Sequence, residues 1–181
     1  MKGLFVFSHD MEDGEALQTR ALLMRAGLSI VTITFEKTLD IKTSYGLSVK
    51  ADHFGHDVHL DHYDFVVVPG GRYVKNVVDQ DVHIKELVKY FYQKNKLVAA
   101  ICAGPRFLGQ AGLLQDKKFT AFPGSEKDMP SGNYHKDMKA ITDGHIITGR
   151  SAGAVYEFSY EIVKYTLGIE AADHLLSSIL F

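Results

Sequence analysis

Lys96-Leu97-Val98-Ala99-Ala100-Ile101-Cys102-Ala103-Gly104-Pro105 decides the reading of this chain. Leu97 to Cys102 carry no charge, and the β-branched Val98 and Ile101 favour extended backbone. Apolar residues without polar alternation suit a strand buried on both faces, as in a parallel sheet covered by helices on each side. Ala103-Gly104 then turn the chain, and Pro105 fits the first turn of a helix. Cys102 therefore falls on a strand-to-helix elbow, where a side chain is held in a sharp conformation and projects from the sheet edge. The free amides and positive dipole end of the following helix favour thiolate over thiol. The stretch predicts a reactive cysteine rather than a buried, inert one.

Reading outward, the same alternation recurs. Lys2–Ser8 is a strand, Glu12–Ala26 a helix ended by Gly27, and Ser29–Phe35 a strand of β-branched residues. Tyr45–Val49 reads as a shorter strand. Asp64–Val68 is a core strand stopped by Pro69-Gly70-Gly71. Asp81–Asn95 is an amphipathic helix with Ile84, Leu87, Val88 and Phe91 on one face. Pro105–Ala111 is helical, Phe119–Phe122 is a short strand, and Lys139–Thr142 with His145–Thr148 makes a hairpin at Asp143-Gly144. Ala152–Leu167 and Glu170–Ser178 are closing helices. The pattern predicts one α/β domain over residues 1–181, a three-layer sandwich around a mainly parallel sheet.

The chain has 181 residues, 46% of them hydrophobic, enough for such a core. Twenty basic and 22 acidic residues are well mixed and leave a formal charge of -2, which points to neither a nucleic-acid nor a membrane surface. One cysteine excludes an internal disulfide and fits a reducing compartment. The chain enters a strand at once, without a signal-peptide pattern, and contains no long apolar run. A cytoplasmic protein is expected.

Ligands of parallel sheets bind at the carboxyl ends of the strands. Ser8–Glu15, Pro69-Gly70-Gly71 and Cys102 all fall there, which makes each a site candidate. Gly70 and Gly71 permit close backbone approach and, with the Ala103 amide, can form an oxyanion hole; they can equally make only a turn. On spacing alone Glu15 reads as a helix-start carboxyl complementing the dipole together with Glu12 and Asp13, although a carboxyl there can also reach the thiol. His9, His135 and His145 are the histidines that loops can bring near Cys102, and each also reads as exposed or structural. Arg150-Ser151 begins a helix after a strand and either lines the pocket mouth or supplies the helix cap. His53, His56, His59 and His62 recur every third residue with interleaved aspartates. That pattern can bind zinc or nickel, but Gly55 and its place in a connection favour a solvated loop. No metal and no cofactor is expected.

Asp64-Phe65-Val66-Val67-Val68-Pro69-Gly70-Gly71 and Val98-Ala99-Ala100-Ile101-Cys102-Ala103-Gly104-Pro105 together resemble the ThiJ/PfpI superfamily, related in fold to class I glutamine amidotransferases. Glu12-Asp13-Gly14-Glu15, Arg25-Ala26-Gly27 and Gly149-Arg150-Ser151-Ala152-Gly153 extend the resemblance over nearly the whole chain. It implies a flavodoxin-like sandwich, usually a homodimer. It implies Cys102 as the reactive cysteine, Glu15 as the carboxyl contacting it, and Gly71 and Ala103 as backbone donors. It also implies activity on small carbonyls such as methylglyoxal (glyoxalase or deglycase) or, alternatively, a chaperone or redox-sensor role. The family's protease branch carries a histidine directly after the nucleophile, where this chain has Ala103, so a peptidase is the least expected reading. Many members also carry a histidine in the loop facing the cysteine, where this chain has Phe122.

Overall fold

The computed structural model describes all 181 residues. The first helix and six of the seven strands of the central sheet follow the predicted alternation; the seventh, His53–Phe54, falls in the histidine-rich segment expected to be a solvated loop. β1 (Lys2–Val6) leads to α1, which opens as one π-helical turn at Gly14–Gln18 and continues as regular helix over Thr19–Arg25. β2 (Ser29–Thr34) follows, then a small hairpin of β3 (Asp40–Lys42) and β4 (Ser48–Lys50), and an edge strand β5 (His53–Phe54). β6 (Phe65–Val68), α2 (Arg72–Val77), α3 (His83–Gln93), β7 (Leu97–Ile101) and α4 (Pro105–Gln110) form the middle of the chain. β8 (Lys118–Phe119), β9 (Asn133–Tyr134), β10 (Ala140–Asp143), β11 (Ile146–Gly149), α5 (Val155–Leu167) and α6 (Ile169–Ser178) complete it.

The seven-stranded sheet runs β10-β11-β7-β6-β1-β2-β5. Every pair in it is parallel except the β10–β11 hairpin, which turns at Gly144 as predicted. Parallel neighbours need crossovers, and right-handed crossovers on both sides put helices on both faces. α1, α5 and α6 pack together on one face, and α3 and α4 on the other. This double cover explains why β6 and β7 are apolar at every position: all nine of their residues are buried. α3 turns Ile84, Leu87, Val88 and Phe91 inward, the face that its periodicity predicts.

The register aligns the strand ends that matter. Val68 pairs with Ala100, Phe5 with Val67, and Gly149 with Ile101. The carboxyl ends of β1, β6, β7 and β11 therefore open on one edge of the sheet.

Three local expectations are corrected. The Tyr45–Val49 strand is shifted: Tyr45 lies in the turn, and the hairpin pairs Ile41 with Val49. Its first strand, Asp40-Ile41-Lys42, carries one apolar residue and gives no alternation to read. α2 went unread because it is a single short run directly after Gly71, below the length at which periodicity is legible. Phe119–Phe122 is extended only at Lys118–Phe119, where it pairs with β9 rather than joining the main sheet.

The β10–β11 turn is held by Asp143, whose carboxylate accepts the Lys118 amide at 2.9 Å and pairs with Lys117 at 3.2 Å. The Lys118 amide in first place, opposed by slight burial and helped by Lys117, lowers its pKa below the usual carboxylate value. A depressed folded pKa stabilises above the unfolded pKa and is lost as pH falls through the folded value. Asp143→Ala is therefore expected to cost about 1 kcal/mol at pH 7. Thermal melts of both proteins should converge as the pH is lowered below about 4, the ordinary aspartate value.

Candidate active site

Cys102 has φ = 63°, in the left-handed region that non-glycine residues rarely occupy. Conformations of this kind cost about 1–3 kcal/mol and persist only when the surroundings over-determine them. The surroundings do so here. The Cys102 amide donates to the Gly149 carbonyl at 2.9 Å, and its carbonyl accepts from the Phe122 amide at 2.8 Å. The Gly104 amide closes the elbow onto Ile101 at 2.9 Å, and Gly104 lies so close to the Val68 carbonyl that an added Cβ would stand 2.6 Å from it. β11, the Phe122 loop and β6 thus fix the cysteine from three sides.

Glu15 is 1% exposed. It sits in the π-helical turn that opens α1, the kind of insertion that re-aims a side chain. Its Oε2 accepts the Gly70 amide at 3.0 Å, the Ala152 amide also donates to its carboxyl, and the Cys102 thiol hydrogen-bonds with it. Its own amide is capped by Glu12 Oε2 at 2.6 Å. Capping at the helix start therefore falls to Glu12, and Glu15 is left to face the thiol. Burial, with no cation against it, pushes the Glu15 carboxyl up to about 7; the hydrogen bonds from Cys102, Gly70 and Ala152 oppose the shift, and the Glu12 charge adds to it.

The predicted thiolate is corrected by the same geometry. Burial first, then the Glu15 charge and hydrogen bond, push the Cys102 thiol above its ordinary range, and the Ala103 amide opposes this only in part. α4, the helix behind the elbow, has six residues and supplies little dipole. Both groups are thus displaced toward their protonated forms, and the pair shares one proton above pH 7. Moving that proton from sulfur to Glu15 creates a thiolate beside a neutral carboxylic acid without changing the net charge of the pair.

A cavity of about 540 Å³ opens over this pair, with Cys102, Ala103, Gly71 and Phe122 in its lining. The Gly71 amide takes no part in the backbone hydrogen bonding of its turn, and the Ala103 amide points at the cysteine sulfur. Gly70 is corrected: its amide is held by Glu15 and does not face the cavity as an oxyanion donor. Phe122 is half-exposed at the rim. Arg150 and Ser151 do not line the cavity. Their strand-to-helix turn instead delivers the Ala152 amide onto Glu15, and the Ser151 side chain makes no capping hydrogen bond. His9 lines an adjoining cavity, its Nδ1 accepting the Lys42 amide at 3.1 Å. His135 and His145 lie outside the cavity, and His145 packs against Tyr92. The His53–His62 segment forms the edge strand β5 and two 3-10 turns, and no group of three or more metal-ligating side chains gathers anywhere in the chain.

The sequence reading missed Tyr45, Arg72, Lys75 and Arg106, all in the cavity lining. Arg72 and Lys75 follow the Gly70-Gly71 turn at helical spacing, and Arg106 follows the elbow proline. Cations so close to two strand-end motifs were the available signal.

A buried carboxyl against a strained elbow cysteine, at the carboxyl edge of a parallel sheet, defines a cysteine-centred α/β protein of the flavodoxin-like type. The DJ-1/PfpI family model matches residues 1–165, and the chain belongs to that family. It is 33% identical to "Deglycase PfpI" of Pyrococcus furiosus over 165 residues, 91% of this chain and 98% of that protein. Among solved structures it is similar to oxidized Toxoplasma gondii DJ-1, with 28% identity, a TM-score of 0.91, and 99% and 98% of the two chains covered. Drosophila melanogaster DJ-1beta superposes with a TM-score of 0.92 at 26% identity, covering 99% and 97%.

Proposed function

We propose that this chain is a cofactor-free, cysteine-dependent enzyme of the stress response, of glyoxalase or deglycase type, acting on methylglyoxal or a related reactive carbonyl. The observation that carries this reading is the buried Glu15 carboxyl, pushed up to about 7 by burial, in hydrogen-bond contact with the only thiol of the chain beneath an open cavity. A catalytic acid–base group works best with its pKa near the ambient pH. The name of the Pyrococcus furiosus relative supports the same class.

The chemistry balances on the groups present. The Cys102 sulfur adds to the aldehyde carbon of methylglyoxal, and the new oxyanion accepts the Gly71 and Ala103 amides. Glu15 carries a proton from the former aldehyde carbon to the neighbouring carbon. The aldehyde is thereby oxidised to a thioester and the ketone reduced to an alcohol. Water cleaves the thioester, returns the thiol and releases lactate. No histidine lines the cavity, so Glu15 handles every proton. With Ala103 directly after the nucleophile and no histidine in the cavity lining, the histidine on which the family's protease branch relies has no counterpart here.

Purified protein incubated with methylglyoxal should release lactate above a protein-free control, followed with enantiomer-specific assays. No lactate above that control overturns the proposal. We place the protein in the cytoplasm as a homodimer with small-molecule substrates. No helix is long and apolar enough to cross a membrane.

A second reading rests on the same pair. Peroxide would oxidise the Cys102 thiolate to sulfenic and then sulfinic acid, and with no second cysteine no internal disulfide can divert it. Neutral Glu15 would donate a hydrogen bond to the sulfinate. A stable gain of two oxygens at Cys102 by mass spectrometry, together with no lactate, would assign the protein to redox sensing or chaperone duty instead.

A further inference from the structure

The cavity over Cys102 carries more positive charge than a neutral carbonyl such as methylglyoxal calls for. Arg72, Lys75 and Arg106 line it, against one carboxylate, Glu12. Arg106 is paired with Asp128, and Glu12 is anchored on the Glu15 amide. Arg72 and Lys75 form no ion pair. They stand three residues apart on α2, so both face the same mouth. The Arg72 guanidinium lies 6.0 Å from the Tyr45 ring centroid, and that ring is one wall of the cavity.

A second cavity of about 480 Å³, with no hydrophobic residue in its lining, adjoins the first and shares Ser44 and Arg72 with it. It adds Lys42 and His9, with Asp10 as its one carboxylate. The route away from Cys102 is polar and cationic on the Arg72 side.

We infer that Arg72 and Lys75 are specificity-determining residues that bind an anionic group, carboxylate or phosphate, on the substrate while its carbonyl reaches Cys102. The substrate class is then a reactive carbonyl bearing an anion a few bonds from the aldehyde. This assignment of substrate rests on the carbonyl chemistry proposed above; the anion subsite itself does not. Two unpaired cations at the rim also offset the single negative charge of the Cys102–Glu15 pair, which would otherwise repel such a substrate.

Because Cys102 is the only cysteine, alkylation reads the site directly. Iodoacetate and iodoacetamide are nearly isosteric and differ in charge. Both report the same thiolate fraction, so the ratio of their rates cancels any change in the thiol itself. Relative to glutathione in the same buffer, the wild-type iodoacetate/iodoacetamide ratio is expected to be raised about fivefold, as for a charge pair in a half-exposed site. It should fall to the glutathione value in the Arg72→Gln/Lys75→Gln double variant and in wild type at about 1 M salt, where the screening length is about 3 Å. The Arg72→Lys/Lys75→Arg pair should keep it. A wild-type ratio equal to that of glutathione, or one unchanged in the double variant, overturns the inference.

Inorganic phosphate and acetate at matched ionic strength separate the two anion classes. Stronger protection from iodoacetamide by phosphate assigns a phosphorylated carbonyl, stronger protection by acetate assigns a carboxylated one, and protection by neither overturns the subsite. The two proposals fail separately. Lactate from methylglyoxal without a reagent preference removes the anion subsite and leaves the enzyme. A reagent preference without lactate keeps the subsite and removes the carbonyl chemistry.

Discussion

Cys102→Ala is expected to bring lactate formation down to the protein-free background, and Glu15→Gln to lower kcat by roughly 10²–10⁴-fold, the usual worth of one acid–base group. Glutamine is the informative replacement. Its amide oxygen can still accept the Gly70 amide at the position of Oε2, and its NH₂ can still donate to the sulfur, so these two contacts are kept. It cannot carry a proton between carbons. The competent form of the pair holds one proton, and that form predominates once the pH exceeds the Glu15 value of about 7. In wild type kcat/KM should therefore rise through pH 7 and then level off, and the residual activity of Glu15→Gln should lack that rise.

The same substitution has an opposite effect on stability. Glu15 is raised from 4.5 to about 7 because folding buries it. A carboxyl with a raised folded pKa destabilises the native state progressively as pH climbs from the unfolded to the folded value. Glu15→Gln removes that penalty, on the order of 3 kcal/mol for a fully buried group. Its Tm should exceed that of wild type at pH 8, and the gap should close as pH falls toward 4.5. A variant that is both more stable and nearly inactive would mark Glu15 as retained for chemistry. A variant less stable than wild type at pH 8 would mark it as a structural carboxyl.

What the sequence made legible and what it hid separate along a physical line. The elbow was legible because its signals are local: an apolar run, a small-residue turn and a proline at a helix start. The sheet was legible for the same reason in six of its seven strands; the edge strand β5, only two residues long, was not. The role of Glu15 was legible only through the family resemblance, because from spacing alone a carboxyl beside Glu12 and Asp13 is a helix-start acid. Only the parallel register, with β1 beside β6 and β6 beside β7, sets it against Cys102. The protonation of Cys102 was misjudged because the helix dipole is read from sequence and desolvation is not. Gly70 was assigned to the oxyanion hole with Gly71 because neighbouring glycines look alike in sequence; in the fold the Gly70 amide is held by Glu15, while Gly71 lines the cavity. Arg72 and Lys75 escaped because α2 is too short to show a period.

Gly71→Ala should have the largest effect on the fold itself. Gly71 has φ = 125°, where an L side chain is strained whatever space surrounds it. There is also no space. A Cβ would stand 2.4 Å from the Asp10 carbonyl oxygen, 2.5 Å from the Glu12 amide nitrogen and 2.7 Å from Met11 Cα, all of them backbone. Backbone cannot swing aside as a long side chain can, so the bridge between Met11 and Gly71 must open. That bridge ties the segment preceding Glu15 to the turn that follows β6, and the Glu12 amide donates to the Gly70 carbonyl within it. We expect a loss of about 3–5 kcal/mol in urea unfolding, the range of strained-backbone and overpacking substitutions combined. At temperatures where the variant is still folded, lactate formation should fall with it, because Glu15 moves off Cys102 as its segment shifts. Gly27→Ala provides the control for strain without crowding. Gly27 also has a positive φ of 94°, but nothing lies within 4 Å of its added Cβ. It should cost about 1 kcal/mol and leave activity intact. Equal losses in the two variants would mean that φ alone sets the cost and that the Met11–Gly71 bridge does not position Glu15.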